Sequence, residues 1–136
     1  MSLYDVFNIS SSGMAAQSTR LNTTASNLAN ANVEASSPEE AYKARNPVFQ
    51  TVLEANGGRG VKVAGITESQ AQAAPKHDPG NPLADENGYV YSSNVNPVEE
   101  MVNMLSASRT YQTNVQVMDT TKQLAMRTLQ LGESSG

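Results

Sequence analysis

The 136-residue chain contains no cysteine and no tryptophan, and only two phenylalanines. The absence of cysteine excludes disulfides, thiolate metal sites and cysteine nucleophiles. Because only 38% of the residues are hydrophobic, the core is expected to be thin and to need neighbouring subunits to complete it. The net charge of −4, without a basic cluster, gives no reason to expect a nucleic-acid partner.

Long apolar runs are also missing from the chain. No stretch reaches the length that crosses a bilayer, so no direct membrane insertion is expected. Residues 1–7 lack the basic start and the apolar stretch of a secretory signal peptide. We therefore expect a chain that either stays in the cytosol or is exported by a route that uses no cleaved signal.

Residues suited to catalysis are few. The one histidine, His77, lies in a segment rich in proline and glycine, and no pattern supplies it with a catalytic partner. Residues 78–88 are rich in oxygen ligands, but they lack the alternating spacing and closing glutamate of an EF-hand loop. The glycines of residues 57–60 lack the lysine and following Ser or Thr of a phosphate-binding loop. We predict no catalytic, cofactor-binding or metal-binding residue, and no enzymatic activity.

Composition divides the chain into residues 1–32, 33–95 and 96–136. In the first segment Phe7, Met14, Leu21 and Leu28 repeat every seven residues, which predicts a helix with one apolar stripe. The remaining surface of this helix carries small polar residues, which are mediocre helix formers. The helix should therefore be marginal alone and stable only when it is surrounded.

The last segment predicts a second, longer helix over residues 97–131. Asn96 is suited to cap its start, Pro97 to its first position, and Gly132 to its end. The predicted seam at 3–4 spacing consists of Met101, Met104, Ser108, Tyr111, Val115, Met118, Lys122, Ala125 and Leu129. Val98, Val102, Leu105 and Met126 widen the apolar stripe, and we expect part of this surface to contact neighbouring subunits.

The two helices are expected to pair antiparallel as a coiled coil, with Met14, Leu21 and Leu28 facing a seam that includes Leu105, Tyr111, Val115 and Met118. Between them, strands over residues 47–53 and 61–66 flank a flexible turn, and a short strand follows at residues 89–91. Residues 70–82 read as a loop. The predicted fold class is α+β, with a small β-rich insert between two long terminal helices.

Several motifs resemble those of flagellar rod and hook proteins. In the N-terminal segment these are Ser-Gly-Met-Ala-Ala-Gln at residues 12–17 and Asn-Leu-Ala-Asn-Ala-Asn-Val at residues 27–33. In the C-terminal segment they are Asn-Val-Asn-Pro-Val-Glu-Glu-Met-Val at residues 94–102 and Ala-Ser-Arg-Thr-Tyr-Gln-Thr-Asn at residues 107–114. The middle segment is similar to proximal-rod members of the family, through residues 42–49, 60–63, 78–85 and 88–90. The family signature commonly ends in Asn-Thr, whereas this chain has Asn32 followed by Val33.

The resemblance implies a structural subunit of the flagellar basal-body rod, which polymerises and transmits motor torque to the hook. It implies as partners copies of the chain, other rod proteins, the membrane ring, the hook–basal-body junction protein and the flagellar type III export apparatus. It places the chain in the periplasm-spanning rod, exported without a cleaved signal peptide. The residues predicted to serve assembly or the family motif are Met14, Leu21, Asn27, Leu28, Asn30, Asn32, Leu105, Tyr111, Val115 and Met118.

Two alternatives stay open at this point. The chain could be another axial subunit of the rod and hook family. It could instead be a coiled-coil adaptor that binds a partner helix without polymerising, although the charge-poor surface of the first helix is poorly suited to a separate, soluble adaptor.

Overall fold

A computed structural model describes residues 1–135 and confirms the α+β fold class, with a long helix at each end and a β-rich insert between them. The elements in chain order are α1 (Leu3–Ala29), β1 (Glu34–Ala35), β2 (Arg45–Leu53), β3 (Arg59–Glu68), β4 (Ala74–His77), β5 (Tyr89–Ser92) and α2 (Pro97–Ser134). At about 1.5 Å per residue, α1 is roughly 40 Å long and α2 roughly 57 Å long.

Side chains next to each helix start satisfy its first backbone N–H groups. Ser2 and Asp5 form a capping box, in which the Ser2 hydroxyl accepts from the Asp5 N–H and the Asp5 carboxylate accepts from the Ser2 N–H. The Asn96 side chain accepts from the N–H groups of Val98 and Glu99, as the sequence predicts for an N-cap.

The end of α2 differs from the prediction. The helix continues through Gly132 and ends at Ser134, so the predicted stop at Gly132 is wrong. A glycine inside an exposed helix costs only about 1 kcal/mol relative to alanine. The surrounding helix-forming residues therefore carry the helix past it.

The two helices run antiparallel and in contact, which confirms the predicted pairing. Arg20 near the end of α1 donates to the Asn103 side chain near the start of α2, at 3.2 Å. Nearer the middle, a Cβ added to Gly13 would lie 2.9 Å from the Asn114 side-chain nitrogen. Glycine at this position leaves room for the Asn114 side chain against α1.

The hairpin formed by β2 and β3 lies along α1 for most of its length. At the tip, the Asn56 amide donates to the Asp5 carboxylate at 3.3 Å, and further along the Val61 N–H donates to the Ser12 hydroxyl at 3.1 Å. Because α1 therefore packs between α2 and the hairpin, its small polar side chains act as hydrogen-bond partners for the strands. This position explains why α1 carries only two charged residues.

The second sheet has the strand order β1-β5-β4, with both pairs antiparallel. Strand β4 falls within residues 70–82, so the prediction of a loop there is wrong in part. All four of its side chains are exposed, and its sequence shows no apolar alternation that could have revealed it. It is an edge strand that pairs only with β5, a position in which Pro75 is tolerated.

The buried apolar core consists of small residues. Its members are Ala16, Ala31, Ala41, Ala44, Val90, Val95 and Ala107. A set of five alanines and two valines buries little apolar area, so hydrogen bonds between the segments must contribute much of the specificity of the fold.

Candidate assembly site

The predicted motif at residues 27–33 lies where α1 meets the insert, and Asn27 is its central residue. Asn27 is 0% exposed. Its Oδ1 accepts from the Arg45 N–H at 2.9 Å and from the Tyr42 hydroxyl at 3.0 Å, and its Nδ2 donates to the Arg45 carbonyl at 2.8 Å. The carboxamide thus pairs with both backbone groups of Arg45, as a neighbouring strand would, and fixes the start of β2 on α1.

The other two asparagines of the motif differ in their surroundings. The Asn30 side chain donates to the Ser26 carbonyl at 2.8 Å and its backbone N–H donates to the same oxygen at 3.1 Å, so it closes the end of α1. Asn32 is exposed beyond the helix end. The sequence grouped the three residues as one motif, whereas the structure gives them distinct positions.

Asn94 holds the opposite side of the same junction. Its Oδ1 accepts from the Ala44 N–H at 2.6 Å, and its Nδ2 donates to the Ala71 carbonyl at 2.8 Å. The neighbouring Ser93 hydroxyl donates to the Ala31 carbonyl at 2.7 Å. Sequence reasoning assigned these residues no structural role. The available signal was the family motif at residues 94–102, which begins at Asn94.

The side chains predicted for the helix interface divide into two groups. Met14, Leu21, Leu28, Tyr111, Val115 and Met118 are half-buried. Leu105 is 64% exposed, so the prediction that it faces α1 is wrong.

The buried positions of α2 explain this difference. They are Glu100, Ala107 and Thr121, which recur every seven residues, and the half-buried Asn114 completes the series. The contact between Gly13 and the Asn114 side chain indicates that this line faces α1. The largest apolar side chains at the start and end of the predicted seam, Met101 and Leu129, consequently lie outside it and are exposed.

Four apolar side chains form a continuous exposed surface at the start of α2, which we call the outer ridge. They are Val98, Met101, Val102 and Leu105, each between 59% and 70% exposed. Residues at i, i+3, i+4 and i+7 lie on one face of a helix, here the face turned away from α1. A single chain leaves this face uncovered.

A second apolar surface lies at the other end of the helix pair. An open groove of about 390 Å³ lies between the start of α1 and the last third of α2. Its lining residues are Leu3, Tyr4, Phe7, Lys122, Ala125, Met126, Thr128 and Leu129. We call this surface the end groove. Lys122 is the one charged residue among those that line it.

Electrostatic interactions fix the small second sheet. Lys76 on β4 forms an ion pair with Glu34 on β1 at 2.9 Å, and this contact lowers the pKa of the Glu34 carboxyl. In the turn before β5, the Tyr89 N–H and the Tyr91 hydroxyl donate to the Asp85 carboxylate, and the pKa of Asp85 is lowered, chiefly by the Tyr89 contact. The ion pair links β4 to β1, and the Asp85 contacts fix the turn that leads into β5.

His77 is exposed on β4, where its ring packs edge-on against Tyr89 at a centroid distance of 5.0 Å. Within residues 1–135, no three His, Cys, Asp or Glu side chains are grouped so that they could hold a metal ion. Neither helix, over the same residues, is long and apolar enough to cross a membrane.

Comparison with known proteins places both ends of the chain in flagellar families. Residues 7–34 match the family described as flagella basal body rod protein, and residues 86–131 match the C-terminal family of flagellar basal body rod FlgEFG proteins. The first match contains the Asn27 motif, and the second contains the outer ridge.

Full-length relatives give a closer comparison. The flagellar basal-body rod protein FlgC of Salmonella typhimurium is 49% identical over 98% of this chain and 100% of the relative. FlgC of Escherichia coli O6:H1 is 50% identical, and FlgC of Buchnera aphidicola from Baizongia pistaciae is 37% identical, each with the same coverage. With such identity over the whole length of both chains, this chain belongs to the FlgC family of flagellar basal-body rod proteins, structural subunits of the proximal rod.

Proposed function

We propose that the chain builds the proximal rod by packing its outer ridge against neighbouring subunits, which are copies of itself and other rod proteins. The observation that carries the proposal is the exposure of Val98, Met101, Val102 and Leu105 as one apolar face. Contiguous exposed apolar surface of this kind marks interaction sites on soluble proteins.

The energy available from this face is substantial. Full burial of a Val, Leu or Met side chain is worth about 1.5–3 kcal/mol, so the four side chains offer several kcal/mol for each contact. Because each subunit of a polymer repeats the same contact, the effect of one substitution is multiplied along the assembly. The end groove offers a second apolar surface to an axial neighbour.

The further partners follow from family membership. The membrane ring and the hook–basal-body junction protein would be further partners, and the assembled rod would carry torque from motor to hook. The chain would reach its site through the flagellar type III export apparatus without a cleaved signal peptide. It would act as a structural component and not as an enzyme, and His77 would have no catalytic role.

The alternative of a non-polymerising adaptor is less well supported. One groove for one partner helix would suffice for an adaptor, whereas this chain exposes the outer ridge at one end of the helix pair and the end groove at the other. Two separate apolar surfaces are what a subunit with neighbours on both sides requires.

The test is a strain that carries Leu105→Asp as its only copy of the gene. We expect the variant chain to be made and soluble, because Leu105 is exposed in the single chain, and we expect rod assembly and motility to be lost, because a buried unpaired charge is costly. Gln112→Asp is the matched control, since it adds the same charge to an exposed polar position of the same helix.

Basal-body yield and swimming are the measurements. Normal swimming with Leu105→Asp would refute the role of the outer ridge, as would an equal loss with Gln112→Asp. His77→Ala should leave both measurements unchanged. Loss of swimming in a strain whose His77→Ala chain is stable and normally exported would instead indicate that His77 has a role beyond structure.

A further inference from the structure

We propose that Asn56 is a site of spontaneous deamidation, and that its conversion to a carboxylate releases the tip of the β2–β3 hairpin from the start of α1. The chain contains two Asn-Gly pairs, Asn56-Gly57 and Asn87-Gly88, and both lie in turns with an exposed asparagine. In each pair the glycine has a positive φ, of 88° at Gly57 and 81° at Gly88.

The chemistry requires only water. The backbone nitrogen of the following residue attacks the side-chain amide carbon of asparagine, which closes a five-membered succinimide and expels ammonia. Water then opens the ring and leaves an aspartate or isoaspartate. Glycine is the following residue that favours this attack most, because it has no Cβ to obstruct the approach.

The structure distinguishes the two pairs. Each glycine N–H donates to a carbonyl at 3.0 Å, Gly57 to Glu54 and Gly88 to Asp85, so this restraint is equal. The surroundings are not equal. A Cβ built on Gly57 has no neighbour within 4 Å, whereas one built on Gly88 would lie 3.2 Å from both His77 and Pro79.

The turn around Asn87 is also held from both sides. The N–H groups of Asn87 and Tyr89 donate to the Asp85 carboxylate, each at 2.9 Å. Ring closure needs the asparagine backbone and side chain to rotate toward the glycine nitrogen. At Asn87 the two 2.9 Å contacts oppose that rotation, whereas at Asn56 the longer hydrogen bond of 3.3 Å from its side chain to Asp5 must break. We therefore expect Asn56 to convert several-fold faster than Asn87.

Conversion at Asn56 has a defined structural consequence. Its Nδ2 donates to Oδ1 of Asp5, a buried residue whose other oxygen accepts from the Ser2 N–H in the capping box of α1. Deamidation replaces this donor with an acceptor and sets two carboxylates against each other. The tip loses its hydrogen bond to the first turn of α1, and that turn loses a restraint.

The experiment uses the full chain. The purified protein is incubated at neutral pH, and peptide mapping follows the amide-to-acid mass change at each asparagine over time. In parallel, hydrogen exchange of residues 3–12 is compared among the original chain, Asn56→Asp and Asn87→Asp. The second variant adds the same charge to an equivalent turn away from α1, and Asn56→Gln retains a carboxamide that cyclises slowly.

We expect faster conversion at Asn56 than at Asn87, loss of that conversion in Asn56→Gln, and faster exchange of residues 3–12 in Asn56→Asp alone. The proposal is overturned if Asn87 converts as fast as Asn56. It is overturned equally if Asn56→Asp and Asn87→Asp give the same exchange in α1.

Discussion

Replacement of Asn27 by alanine should weaken the junction between α1 and the insert more than any other change in the motif at residues 27–33. The substitution leaves the N–H and carbonyl of Arg45 without their side-chain partner, whereas the Tyr42 hydroxyl loses one of two contacts and keeps the Ser26 hydroxyl at 3.2 Å. It also opens a cavity, because Asn27 is fully buried. A buried polar group without a partner costs more than the hydrogen bond itself contributes.

The magnitude follows from these contacts. An unsatisfied buried donor or acceptor costs about 1–3 kcal/mol, and part of that cost is relieved here because the Arg45 residue is exposed and water can reach it. The expected loss in the free energy of unfolding is about 2–4 kcal/mol. Asn32→Ala is the control within the same motif, and since Asn32 is exposed its effect should lie within about 0.5 kcal/mol.

The assay is urea unfolding of the purified full chain, followed by circular dichroism. A double-mutant cycle with Tyr42→Phe should show coupling, because Tyr42 donates to the Asn27 side chain at 3.0 Å. The reasoning is refuted if Asn27→Ala and Asn32→Ala unfold within about 0.5 kcal/mol of each other, because burial and hydrogen bonding would then not distinguish the two asparagines.

Two further predictions concern packing and pH. Gly13→Leu should lower the free energy of unfolding by about 1–3 kcal/mol, because the new side chain must displace Asn114. Gly132→Leu places its side chain in open space and should be neutral or stabilising. Equal effects of the two substitutions in urea unfolding would contradict the helix contact at Gly13. The folded-state pKa of Asp85 lies below its ordinary value of 3.8, so its contribution to stability is present above that pH and is lost as the pH falls through the folded-state pKa. Acid unfolding of Asp85→Asn should lack this component, and an unchanged pH profile would contradict it.

The sequence predicted the helices and the hairpin well, because each has a strong local signal. Pro97 after the Asn96 cap located the start of α2, and the glycine-rich turn located the hairpin between its strands. Strand β4 was missed because its stability comes from backbone pairing with β5 and from the Lys76–Glu34 contact, neither of which leaves a periodic pattern.

The helix seam was predicted only in part, for a physical reason. Large apolar residues were expected to face the partner helix, but the buried positions of α2 are Glu100, Ala107 and Thr121, and Gly13 contacts the side chain of Asn114. Leu105 therefore lies outside the helix interface and is exposed to solvent in the single chain. The sequence indicated that Asn27 belongs to a family motif. Its pairing with Arg45 depends on the tertiary fold and could not be predicted from the sequence.

The most direct test of the central claim is a cryo-EM reconstruction of intact basal bodies that contain this chain. We expect the chain to occupy the proximal rod, with Val98, Met101, Val102 and Leu105 covered by side chains of a neighbouring subunit. A reconstruction in which these four side chains face open solvent, or in which the proximal rod lacks the chain, would contradict the proposed assembly.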